Sequence, residues 1–338
     1  MAKETVVVVG AGGISGAWFP RLIEEGVGVL AVVEIDPKVA QKALRRHGLR
    51  AEVSTDLKAT LRKHRPSFVL DLTTPDAHAK VTTTALRAGC HVLGEKPMAA
   101  SMSEARRMVR TSEQTGRMYM VAQTRRWDPR HASLREGLRR GLIGDVTTVN
   151  CDFYMGAHFG GFREQMQSPL ILDMAIHQFD LARFFTGADP VAVYAHEFNP
   201  KGSWYKGDVA ATCVFEMTDG IVFTYRGSWC AEGCPTSWNG DWRVIGTKGT
   251  MLYEANADPV GEVALPGSGF ERKRKAVHPP KVVVKYEGFH GALSEMLTYL
   301  RKGTLPQTEC HDNIKSLAMV FAAIESAKRK RRIPIRAL

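Results

Sequence analysis

The chain has 338 residues, 44% of them hydrophobic and 24% charged, with 46 lysines and arginines against 35 aspartates and glutamates for a net charge of +11. That length exceeds one compact core and suits two domains of roughly 100 to 200 residues. The composition excludes a disordered chain, and no apolar run reaches the roughly 18 residues of a membrane-spanning helix. The positive charge favours anionic partners, but the densest basic runs, 272–275 and 328–332, lack interleaved aromatics, so neither nucleic acid nor a membrane is expected as a partner. Only four residues precede the first predicted strand, which leaves no room for a signal peptide and makes a cytoplasmic location the expectation. Six scattered cysteines need no disulfide framework, and Cys230 and Cys234 lack a second Cys/His pair, so no metal site is expected.

In chain order, short apolar runs at 6–9, 30–33, 68–72, 91–93 and 118–121 read as strands, and 14–25, 37–46, 56–63, 77–88 and 103–115 read as helices. Continuous apolar strands separated by helices predict a parallel, doubly wound sheet covered on both faces. Beyond residue 124 the strands lengthen and partly alternate, at 146–154, 191–197, 209–217 and 221–228, with turns at 218–220 and 246–249. This predicts an antiparallel sheet covered on one face by helices at 129–140, 169–185, 290–302 and 311–329, its other face left for a second subunit. The domains are therefore expected at 1–124 and 125–338.

Gly10-Ala11-Gly12-Gly13-Ile14-Ser15 follows a strand and opens a helix, the context a dinucleotide fingerprint requires. Gly10 then makes the tight turn, and Gly12 lets the backbone approach a pyrophosphate resting on the helix amino terminus. Ser15 stands where a third glycine is usual, and its small side chain still allows close packing of helix on strand. Glu34 ends the second strand where a carboxylate receives ribose hydroxyls and repels a 2′-phosphate, so NAD is favoured over NADP; Lys38, Arg45 and Arg46 are the nearby cations able to accommodate that phosphate. Asp36 is expected to cap the helix that begins at Pro37.

Lys96, in Gly94-Glu95-Lys96-Pro97, is pinned between a strand and a proline that cannot continue it, at the strand's carboxyl end where α/β enzymes keep their chemistry. Asp173 and His177 are spaced i, i+4 on a predicted helix with Ser168 as cap, Pro169 in its first turn and Gly187 as stop. Taken singly these residues read as a solvated lysine, a core histidine and a helix ion pair. Together with the glycine turn they point to a redox enzyme.

Over essentially its whole length the chain resembles the glucose-fructose oxidoreductase / inositol dehydrogenase / rhizopine-catabolism (Gfo/Idh/MocA) family. The resemblance rests on the fingerprint, on Thr73-Thr74-Pro75-Asp76-Ala77-His78, on Ala88-Gly89-Cys90-His91-Val92-Leu93-Gly94-Glu95-Lys96-Pro97, and on Leu172-Asp173-Met174-Ala175-Ile176-His177-Gln178-Phe179-Asp180. Two residues depart from the family pattern, Ala175 where glycine is common and Thr74 where proline is usual. The resemblance implies an α/β chain with an amino-terminal Rossmann domain and a carboxyl-terminal α/β domain carrying a large open, mostly antiparallel sheet, assembled through that sheet as a homodimer or homotetramer. It also implies NAD(P)-dependent oxidation of a sugar or cyclitol secondary alcohol, or the reverse reduction.

Lys96, Asp173 and His177 fall on the family's catalytic positions. A histidine suits removal of a hydroxyl proton near neutral pH, the aspartate one turn before it converges on the substrate or orients the ring, and a lysine steadies the developing alkoxide by a charge-assisted hydrogen bond. The expected cofactor-binding residues are Gly10, Gly12, Gly13, Ile14, Glu34, Thr73, Thr74, His78, Glu95, Lys96 and Arg126. The expected substrate-binding residues are Lys96, Trp127, His158, Arg163, Asp173, His177 and Trp238, with Trp242 as a further flat face for a sugar ring. Two alternatives stay open on the same fold: an oxidoreductase whose nucleotide never dissociates, and a dinucleotide-sensing regulator without catalysis.

Overall fold

The structure, a computed structural model, describes residues 4–338. Its first elements are β1 (Thr5–Val9), α1 (Ser15–Glu24), β2 (Gly28–Val33), α2 (Pro37–Arg46), β3 (Glu52–Ser54), α3 (Leu57–His64), β4 (Phe68–Asp71), α4 (Pro75–Arg87), β5 (His91–Gly94), α5 (Met102–Thr115) and β6 (Tyr119–Val121). There follow α6 (Pro129–Arg139), β7 (Val146–Tyr154), α7 (Ile176–Thr186), β8 (Pro190–Phe198), β9 (Ala210–Met217), β10 (Val222–Ser228), β11 (Asp241–Gly246), β12 (Gly249–Tyr253), β13 (Val260–Ala264) and β14 (Arg274–Val277), and the chain closes with α8 (Gly288–Lys302), α9 (Cys310–Arg329) and β15 (Ile333–Pro334). Two compact units result. One holds the residues through Thr124 together with Lys285–Ile314 and Ala337–Leu338, and the other holds Arg125–Val284 with Lys315–Arg336.

The first unit is built on six strands in the order β3-β2-β1-β4-β5-β6, every pair parallel. Val6 to Val8, Phe68 to Leu70 and Val92 to Leu93 are fully buried, as the unbroken apolar runs require of strands covered on both faces. The edge strand β3 was not expected, because its three residues carry no apolar run. The helix expected at 290–302 to cover the second sheet, observed as α8, belongs instead to this unit: Phe289 of α8 meets Trp18 of α1 edge-on at 5.2 Å.

The second unit carries nine strands in the order β14-β13-β12-β11-β7-β10-β9-β8-β15; β7 and β10 run parallel and all other neighbours antiparallel. Alternation sets the two faces. In β9, Cys213, Phe215 and Met217 are buried, while Thr212, Val214 and Glu216 are exposed. The inner face packs on α7, whose Phe179 ring lies 4.7 Å from Phe215, 5.4 Å from Tyr225 and 6.1 Å from Phe223. Ser326 of α9 accepts the Ala195 amide of β8 at 2.9 Å. Tyr194, Phe198, Val214 and Val222 stand exposed on the strands of this sheet.

Candidate active site

In the first unit the strand order reverses between β1 and β4, and an open α/β sheet binds its ligands at the carboxyl ends of the strands around such a point. Gly10 leaves β1 with φ +90, and a Cβ there would lie 2.8 Å from the Leu72 carbonyl oxygen, so only glycine fits. A Cβ at Gly12 or Gly13 would meet nothing within 4 Å, leaving the outer side of the turn open. Ser15 is buried and its hydroxyl donates to the Gly12 carbonyl at 2.7 Å, closing the turn from inside. The first turn of α1 has neither a side-chain cap nor an acidic residue, which leaves its amino terminus suited to an anion. Glu34 accepts the Ala11 amide at 2.7 Å through one oxygen and the Ile35 amide at 2.8 Å through the other, so its carboxylate is fixed beside the glycine turn. These residues fit the pyrophosphate and ribose of a dinucleotide. Asp36 caps α2 as expected, accepting the Lys38 amide at 2.9 Å.

At the ends of β4 and β5 the polar groups are buried and mutually satisfied. Asp71 accepts the Thr73 hydroxyl at 2.6 Å and the Thr82 hydroxyl at 3.1 Å, and burial raises its carboxyl pKa. Glu95, also raised by burial, accepts the Trp18 indole N–H at 2.7 Å and the Lys96 amide at 3.1 Å. The Lys96–Pro97 peptide is cis. His78 is buried between two carbonyls, Pro97 at 2.9 Å from Nδ1 and Thr73 at 2.9 Å from Nε2. It links the turn after β4 to the turn after β5, each ring nitrogen lying against a backbone carbonyl. Thr73, Thr74 and Ile14 remain at least partly accessible, and Lys96 is half-buried.

In the second unit the predicted helix over 169–185 exists but does not start as an α-helix. Leu170–Ala175 is a π-helix, a form that recurs at functional sites, and it runs directly into α7. Asp173 lies in the π segment and His177 is the second residue of α7, both half-buried. Gly187 ends α7 in the left-handed conformation. Ser168 is not the cap: its hydroxyl donates to Glu197 of β8 at 3.0 Å, and the π segment has no side-chain cap. Asp173 accepts the Nε–H of Arg163 at 2.6 Å. Arg163 comes from the short 3₁₀ segment Gly161–Gln165, so sequence distance had hidden a pairing between two expected site residues. His158 contacts Glu232 at 2.8 Å and stacks on Trp204 at 3.7 Å; Trp238, 47% exposed, lies 6.1 Å from Phe153 and 6.2 Å from Phe159.

Three expectations give way to packing. Arg126, expected at the cofactor, is buried and donates from Nε and Nη2 to Asp180 at 2.7 and 2.6 Å. A buried fork of this kind is a structural pair, since removing either partner strands the other charge. Trp127, expected at the substrate, is only 5% exposed, and Trp242 is buried against Phe185 and Phe223. A cluster not anticipated from the sequence, Glu309, Cys310 and His311, brings three atoms able to ligate a cation within 4.8 Å of one another. Hydrogen bonds to Glu309 and Glu113 raise the His311 pKa, and burial pushes the Cys310 thiol up to about 12.

The fold and the glycine turn define a dinucleotide-binding protein. Residues 5–123 match the oxidoreductase family with an NAD-binding Rossmann fold, and residues 131–252 match the GFO/IDH/MocA carboxyl-terminal domain. The chain belongs to the GFO/IDH/MocA family. It is 26% identical over 327 residues to a D-apiose dehydrogenase of Paraburkholderia graminis, covering 93% of this chain and 84% of the relative. To an inositol 2-dehydrogenase of Rhizobium meliloti it is 27% identical over 284 residues, covering 79% of this chain and 80% of that one. An oxidoreductase from Agrobacterium radiobacter, crystallised with NAD+, L-tartaric acid and magnesium, shares the fold at a TM-score of 0.86 and 22% identity, with 98% of each chain covered. Among the described residues no helix is long and apolar enough to cross a membrane.

Glu197, which holds Ser168 at the start of the π segment, was not singled out by the sequence. Burial pushes its carboxyl pKa up to about 7 against the opposing Ser168 hydrogen bond, with Asp208 adding to the rise. Its folded pKa lies above its unfolded value, so its contribution to stability is complete below the ordinary carboxylate range and is lost as pH rises to about 7. Glu197→Gln fixes the neutral form. In a melting series from pH 5 to 7.5 the variant should gain a few degrees on the wild type as pH increases. Parallel curves would contradict the assignment.

Proposed function

We propose that the protein is an NAD-dependent dehydrogenase of a sugar or cyclitol secondary alcohol, with residues 1–124 serving the nucleotide and residues 125–338 serving the substrate and the contact between copies of the chain. The reading is carried by Glu34 fixed on the Ala11 amide beside an open glycine turn and an uncapped helix. The names of the relatives, a D-apiose dehydrogenase and an inositol 2-dehydrogenase, support the substrate class. When bound, the nicotinamide supplies the acceptor for the carbinol hydride, so that alcohol and NAD+ become ketone, NADH and a proton. His177 takes the hydroxyl proton, Lys96 donates a charge-assisted hydrogen bond to the alkoxide oxygen, and Asp173 orients the hydroxyl. Thr73, Thr74 and Ile14 flank the cofactor; Glu95 and His78 act from behind as positioning residues. His158, Arg163 and Trp238 face the substrate. All six cysteines are free, and the location we propose is cytoplasmic.

Lys96→Ala and His177→Ala should each lower kcat about 10²–10⁴-fold, the usual contribution of a proton-transfer group, with the melting temperature preserved. Unchanged turnover in both would overturn the assignment. Glu34→Ser should shift the NADP-to-NAD preference by about tenfold or more, the scale of one charge-assisted contact; an unaltered ratio of kcat/KM would remove Glu34 from cofactor selection. The exposed Tyr194, Val214 and Val222 are proposed to pack on a second copy. Light scattering should therefore give a dimer or tetramer, and a single species of 37.4 kDa would contradict this.

A further inference from the structure

Resting on the dehydrogenase reading, we propose that the substrate carries a carboxylate, as in a uronate or aldonate, and that Arg163 receives it. The guanidinium is held on one edge and on its face, with the opposite edge left open. Nε–H donates to Asp173 at 2.6 Å, and the guanidinium carbon lies 4.8 Å from the Phe162 ring centre and 5.2 Å from that of Phe159. Among the described residues neither Nη1 nor Nη2 has a hydrogen-bond partner, and the side chain is 35% exposed.

Four other arginine forks of the chain are filled. Arg126 on Asp180, Arg226 on Asp152, Arg301 on Glu4 and Arg332 on Glu216 each engage a carboxylate through both Nε and Nη2. Arg163 meets Asp173 through Nε alone, so its paired Nη donors keep the spacing that matches the two oxygens of a second carboxylate. Two aromatic rings fix the plane of the guanidinium, so little side-chain freedom is lost on binding. Phe162 is 68% exposed and Phe159 42% exposed, an unusual investment of apolar surface for a solvated ion pair. A neutral hydroxyl would use one of these donors. A carboxylate uses both, in charge-assisted hydrogen bonds, and sets the sugar beside Asp173, one turn before His177.

The test uses matched pairs that differ at one carbon, glucuronate with glucose and galacturonate with galactose, together with the corresponding 6-phosphates, assayed for NADH formation. In the wild type the uronate of at least one pair should exceed its neutral partner in kcat/KM by about 10- to 100-fold, the range of hydrogen bonds to a charged group, with the difference mainly in KM. Arg163→Met should collapse that ratio to near one, and Arg163→Lys, which keeps the charge without the fork, should fall between. If Arg163→Met does not fold, Phe162→Ala, which leaves the Arg163–Asp173 pair in place, must lower the ratio several-fold. A neutral or phosphorylated sugar preferred by the wild type, or a uronate preference that survives these changes, would overturn the inference while leaving the dehydrogenase reading intact. No NADH from any member of the panel, with NAD bound in calorimetry, would overturn both.

Discussion

The first unit depends on a carboxylate held almost wholly out of water. Glu95 closes β5 and is almost fully buried, yet one of its oxygens holds the indole of Trp18 and the other holds the amide of Lys96. A buried acid is tolerated only when its lone pairs are satisfied, and here the satisfying donors come from two places that must keep register: the helix that follows the glycine turn and the residue proposed to steady the alkoxide. Trp18 in turn packs on Phe289, so α1, α8 and the end of β5 are fastened at one point. The Thr73–His78–Pro97 link and the Asp71 cluster repeat the device along the same sheet edge.

The helix that bears His177 is secured by a different balance of forces. Asp180, one turn further on, takes the Arg126 fork and the Ser316 hydroxyl at 2.7 Å, all within the interior. Phe179 on the same helix meets three aromatic rings of the sheet. The start of the segment is held more loosely, by Ser168 on the half-buried Glu197 and by Arg163 on Asp173. A rigid helix entered through a π segment gives Asp173 and His177 a fixed base, while the polar groups ahead of it stay accessible to a ligand.

Much of this was legible in the residues, because the informative features are local. Gly10 needs positive φ and lacks room for a Cβ, Asp36 precedes a proline at a helix start, and an all-valine strand must be covered on both faces; each is a short-range rule. What escaped depended on distant partners. The three residues of β3 pair only because β2 lies beside them, and α8 gives no sign in its own sequence that it packs on α1 rather than on the second sheet. The π segment reads as an α-helix, since one extra residue in a turn leaves an apolar stretch looking the same. Arg126 and Trp242 resembled site residues because arginine and tryptophan serve binding and packing alike, and only burial separates the two uses. The open fork of Arg163 is visible only once the loop after Gly160 and Gly161 is folded.

The most direct test of the central claim, that this chain moves a hydride between a polyol and a nicotinamide, is the absorbance of reduced nicotinamide with NAD and NADP offered separately against inositols, aldoses, anhydrosugars, disaccharides and uronates. The account predicts NADH formation with one of these classes and a clear preference for NAD. Silence across the whole panel with both nucleotides, from protein that binds NAD in calorimetry, would contradict it.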